Sequence, residues 1–167
     1  MIDTILAIKA DIQHILLVLL AVAAWRYGAA PERLCTAILV VILWLGDVGN
    51  HWLFDTSPRF TAVETGHLVL DLTAFAGLLA IAVMANRQYP LWLAGLQGLV
   101  VLTHFAQGLT ASAPLAYSIL SIAPFYGLIA ILAGGIFAHR RRKRQYGSYA
   151  AWTIYPQTAR LEARRRL

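Results

Sequence analysis

Cysteine is almost absent from this sequence: Cys35 stands alone. A single cysteine forms no internal disulfide and supports no Cys-based metal motif. Charge is sparse as well. Asp, Glu, Lys and Arg make up 13% of the 167 residues, against about a quarter in a soluble domain. The sequence contains no HExxH, no Gly-rich phosphate loop and no evident nucleophile–base pair, so the common zinc-hydrolase, nucleotide-binding and acyl-transfer signatures are missing. No internal repeat is present.

What fills the chain instead is apolar. Hydrophobic residues reach 59% and the mean hydropathy is +0.64. They come in five blocks, at about 12–26, 35–54, 66–85, 91–110 and 115–138. A membrane span needs about 20 residues. Four blocks meet this length; the first is short and is expected to extend upstream as an interfacial helix. The intervening stretches "RYGAAPER", "DTSPRF", "NRQYP" and "ASAP" carry the Gly, Pro, Ser and charge of turns. The pattern predicts an all-α, polytopic membrane helix bundle of about five transmembrane helices over residues 1–138, and a basic tail over 139–167. Residues 12–24 resemble the apolar core of a signal peptide. The residues before them include Asp3, Lys9 and Asp11, net negative where a signal needs positive charge, so a mature helix is expected.

Charge is divided unevenly. Residues 139–167 carry nine Lys/Arg against the single acid Glu162, whereas residues 1–138 carry five against seven Asp/Glu. The cluster Arg140, Arg141, Arg142, Lys143 and Arg144 follows the last block directly. Such a run sets topology and contacts anionic lipid head groups, which predicts the N-terminus out, the C-terminus in and a loose cytoplasmic arm beyond. The expected partners are the bilayer itself and a membrane-protein partner or second copy. A basic run beside a span is topological, so nucleic acid is not expected.

With this topology the polar residues share one depth. Asp11 and His14, then Asp47, Asn50 and His51, then Glu64, His67 and Asp71, then His104 and Gln107 all fall in the outer halves of their segments, leaving inner halves that are almost purely apolar. Asp47 and His51 are spaced i, i+4, and Glu64, His67 and Asp71 i, i+3, i+7. Each set therefore lies on one helical face. Groups of this kind are costly in hydrocarbon and should point into the bundle or a hydrated cavity. The plain reading is polar glue between helices. The candidate cluster His14, Asp47, His51, Glu64, His67, Asp71 and His104 also admits three functions. Imidazole with carboxylate suits Zn, Fe or Mn; two histidines could ligate a b-type haem; an acidic mouth could serve cation or proton transport. His67, Asp71 and His104 are expected to meet across the third and fourth segments. Pro124 interrupts the fifth and is expected to bend it.

The runs "ETGHLVLDLTAFAGLLAIAVMANRQYPLWLAGLQ", "THFAQGL" and "HRRRKRQYGSYAAW" resemble small polytopic membrane proteins of sphingomonad-type alphaproteobacteria. The resemblance implies a bacterial inner-membrane location and carries over no catalytic residue. The sequence leads to a multi-pass inner-membrane protein, a non-enzymatic accessory or assembly component with a periplasm-facing His/Asp/Glu cluster. The alternatives are a metal- or haem-binding protein of redox or hydrolytic activity, and a small transport component.

Overall fold

The computed structural model describes the backbone of residues 2–54, 65–109 and 114–153, and the side chains of 12–53, 65–106 and 123–153. Five helical rods account for nearly all of it. The first is α1, Ile2–Tyr27. The second is compound: α2, Ala30–Ala37, passes into a π-helical segment, Ile38–Leu45, and then into α3, Gly46–Phe54. Then come α4, Thr65–Met84, α5, Tyr89–Leu109, and α6, Pro114–Tyr146. No strand occurs among the described residues beyond one isolated bridge, Ala85 with Trp152. Around the bundle the compound rod packs on α4, α4 on α5, α5 on α6, α6 on α1, and α1 back on the compound rod.

The centre is filled by one leucine-rich cluster: Leu17 and Leu20 of α1, Cys35 and Leu39 of the compound rod, Leu78 of α4, Leu93 of α5, and Leu128 and Leu132 of α6. The outside is apolar too. Ile15, Leu19, Leu53, Val83, Leu91, Leu102 and Phe137 all project outward. Only 17% of the most apolar window of Thr65–Met84 is buried inside the bundle. An outer surface this apolar requires lipid rather than water. Among the described residues four helices are long and apolar enough to cross a membrane: Ala30–Leu53, Thr65–Met84, Tyr89–Ala106 and Ala123–Tyr146. Ile12–Tyr27 is a shorter apolar helix, within a 26-residue α1. The chain is a multi-pass membrane helical bundle. Trp25, Trp52 and Trp92, at 75%, 84% and 67% exposure, sit near helix ends, where amphipathic rings favour the membrane interface.

Two boundaries differ from expectation, each for a local reason. The second rod begins at Ala30, inside the stretch read as a turn, because Pro31 fits the first helical turn and Glu32 Oε2 accepts the Ala29 backbone N–H at 2.9 Å, as in half of a capping box. Pro124 lies inside α6 without ending it. α6 also runs on past residue 138 to Tyr146, so Arg140–Arg144 are exposed turns of that helix. Gly147, at φ 75°, closes that helix by donating to the Lys143 carbonyl at 3.1 Å, a left-handed cap that glycine adopts without strain.

Of the expected loose arm, residues 150–153 are docked; residues 154–167 lie outside the described residues. Asn86 donates to the Ala151 carbonyl at 3.0 Å and Thr153 to the Met84 carbonyl at 2.8 Å. Trp152 then packs against the core cluster.

Candidate functional site

Two polar layers lie at opposite ends of the bundle. The first begins where the π-helical segment ends. There the Gly46 N–H bonds the Val41 carbonyl, five residues back. Such i→i+5 bonding rotates everything after it relative to an α-helical phase, and π segments frequently accompany functional sites. Beyond it, α3 presents Asp47 and His51 one turn apart, facing His67 in the first turn of α4.

The three side chains converge. His67 Nε2 is 2.7 Å from Asp47 Oδ1, and His51 Nε2 is 3.6 Å from the same oxygen. The two imidazoles lie 5.1 Å apart, tilted by 59°. One ligand atom from each of Asp47, His51 and His67 falls within 4.8 Å of the others. An ion holding nitrogen and oxygen at about 2.0–2.2 Å needs its donors within ~4.4 Å of each other, so small side-chain rotations close the set. Two histidines and one carboxylate are the donor types of the facial set that leaves open positions on a metal. Side-chain exposures of 25% for His67, 36% for His51 and 42% for Asp47 leave the group reachable by a hydrated ion. Close by, Asn50 is 8% exposed and its amide nitrogen has no hydrogen-bond partner among the described residues. Its side chain lies against Gly66, where a Cβ would overlap the Asn50 Oδ1; glycine is what lets α3 and α4 approach here.

One turn deeper, Asp71 of α4 is held by two residues of α5. His104 Nε2 lies 2.8 Å from Asp71 Oδ2, and the Gln97 amide donates to Oδ1 at 2.7 Å. This unit is closed, with side-chain exposures of 4% for His104 and 16% for Asp71. Asp71 therefore meets His104 as the level of the two helices predicts, while His67 turns to Asp47 instead of joining them. His14 stands apart, stacked on Trp44 at 5.1 Å. Glu64 lies outside the described residues.

The second polar layer, at the end carrying Arg140–Arg144, is built from residues that flank the apolar inner halves, Glu32, Arg87 and His139. Glu32 and Arg87, both with almost fully buried side chains, pair at 3.3 Å. The Arg87 guanidinium also donates to the Asn86 and Ala150 carbonyls and lies 4.2 Å from the Tyr149 ring centroid. Its Nη2 is 3.4 Å from His139 Nδ1, and the Tyr149 hydroxyl is 2.7 Å from the same nitrogen. Arginine can only donate, so Nδ1 is the acceptor and His139 carries its proton on Nε2. The sequence signal was weak: Glu32 and Arg87 lie 55 residues apart in two different turns.

Between the layers Leu39, Ala74, Leu78 and Leu93 are fully buried, so the described side chains offer no continuous polar path from Asp71 to Glu32. No family model, no curated protein and no solved structure matches this chain.

Proposed function

We propose that this is a bacterial inner-membrane protein, N-terminus out and C-terminus in, that holds a divalent transition-metal ion at its periplasmic end on Asp47, His51 and His67. The observation that carries the reading is the convergence of those three side chains from two different helices around a common point. Polar glue needs only pairs; here one carboxylate faces two imidazoles. The donor set suits Zn, Fe or Mn. A b-type haem suits it less, because both histidines address one carboxylate oxygen from tilted, adjacent positions and leave no slot between opposed rings. A conduit for cations is also less favoured, given the dry layer of Leu39, Leu78 and Leu93 beneath. The resulting role is a metal-holding accessory or assembly component, with Asp71 and His104 bracing α4 below the site.

Equilibrium dialysis of the detergent-purified, chelator-stripped protein against zinc tests this. One zinc per chain is expected for the native protein, with binding at least about tenfold weaker for His51→Ala and for His67→Ala, since each removes one ligand. Zinc binding unaffected by either change, or absent in the native protein, overturns the reading.

A further inference from the structure

At the basic end, the 85–88 turn, the start of α5, α6 and the docked tail surround a half-open cavity of about 580 Å3. Its two parts differ in chemistry. The rim carries Arg87, Gln88, His139 and Arg142. The floor is a strip of α6, Ile131, Gly134 and Ala138. These floor residues recur at three- and four-residue spacing and Arg142 continues the series, so all lie on one helical face. The strip leads from the cationic rim toward the apolar middle of the bundle. A Cβ at Gly134 would meet no atom within 4 Å, so there is space along the strip for another group.

The rim has positive charge left over. Glu32 already pairs with Arg87. Arg142 is exposed, stands 5.5 Å from the Tyr149 ring centroid and pairs with no carboxylate among the described residues. Arg87 cannot swing away, because Glu32, Asn86 and Ala150 fix its guanidinium. The adjustable Arg142 beside the Gln88 amide, with the Nη2 N–H that Arg87 has left over from Glu32, Asn86, Ala150 and His139, suits the oxygens of a phosphate ester.

We infer that this cavity binds the phosphate head group of an anionic membrane lipid, with an acyl chain lying along Ile131, Gly134 and Ala138. A free phosphate shares the head-group chemistry and would use the rim alone; the apolar strip is what selects the lipid. Basic pockets between transmembrane helices are a recurrent form of lipid recognition. This goes beyond diffuse attraction of a basic segment, since it assigns different weights to arginines on the same helix. The inference is independent of the metal site, which lies at the other end.

Native mass spectrometry of the full chain, with phosphatidylglycerol and phosphatidylcholine of matched chains in competition, tests it. The native protein should retain phosphatidylglycerol preferentially. Arg142→Gln should lower that preference about tenfold, the effect of losing one charge-assisted hydrogen bond. Arg144→Gln, on the same helix outside the cavity, should leave it within about twofold. Gly134→Leu, which fills the strip, should displace both lipids while the helical circular dichroism stays native. Three results would each overturn the inference: equal losses from Arg142→Gln and Arg144→Gln, retention undiminished in Gly134→Leu, or competition by soluble glycerophosphate as strong as by the lipid.

Discussion

At the scale of single residues, the bundle separates polar groups that a ligand could reach from polar groups that are sealed. Asp71 and His104 belong to the sealed class. Removing one partner takes a buried hydrogen bond from the other, at a cost of roughly 1–3 kcal/mol. Replacing both by leucine should cost less than the sum of the single changes. Thermal unfolding in detergent of Asp71→Leu, His104→Leu and the double variant measures the difference; strict additivity would mean that the pair is not a unit. Glu32 and Arg87 should behave the same way with larger amplitude. Glu32→Gln strands a guanidinium whose side chain is 5% exposed, and breaking a buried ion pair costs about 3–5 kcal/mol. Glu32→Leu with Arg87→Leu should recover much of that stability in the same assay.

Among the elements, α3 and α4 decide whether the three proposed ligands meet. Their approach depends on Gly66, which faces Asn50. Gly66→Ala should force the helices apart and weaken zinc binding about tenfold or more, as displacing a ligand does. Gly49→Ala is the matched control, because a Cβ there meets nothing within 4 Å. It should leave zinc binding unchanged and raise stability by up to about 1 kcal/mol through helix propensity. Equal effects from the two would show that close packing at Gly66 does not set the site.

The element scale also shows what the sequence could convey. Apolar blocks gave the rods, because each rod needs an unbroken run to face lipid. Polar spacing placed Asp47 with His51 on one face, and the short "NRQYP" turn put Asp71 level with His104. Partner choice across rods was less visible. His67 pairs with Asp47 of α3, whose helical phase is shifted by the π-helical segment before it, and no propensity announces such a segment in a run of aliphatic residues. The docking of residues 150–153 was hidden for a different reason: main-chain bonds to Met84 and Asn86 need no particular side chain. Glu32 looked like turn punctuation, although its spacing from Ala29 fits the back-bonding half of a capping box.

On the scale of the whole molecule, the bundle holds two chemically distinct ends around a dry leucine-rich centre, and the orientation proposed here assigns them to opposite sides of the membrane. Reporter fusions active on opposite faces check that assignment. A fusion at residue 167 should be active in the cytoplasm and one within 111–114 in the periplasm, as the Arg140–Arg144 cluster demands; the reverse pattern would turn the metal site to the cytoplasm.

The central claim is that Asp47, His51 and His67 share one ion, and X-ray absorption at the zinc edge of the zinc-loaded protein examines it most directly. The account predicts a first shell of nitrogen and oxygen at about 2.0–2.2 Å with the outer-shell scattering of two imidazoles, falling to one imidazole in His51→Ala. A shell without imidazole scattering, or one unchanged by His51→Ala, would contradict it.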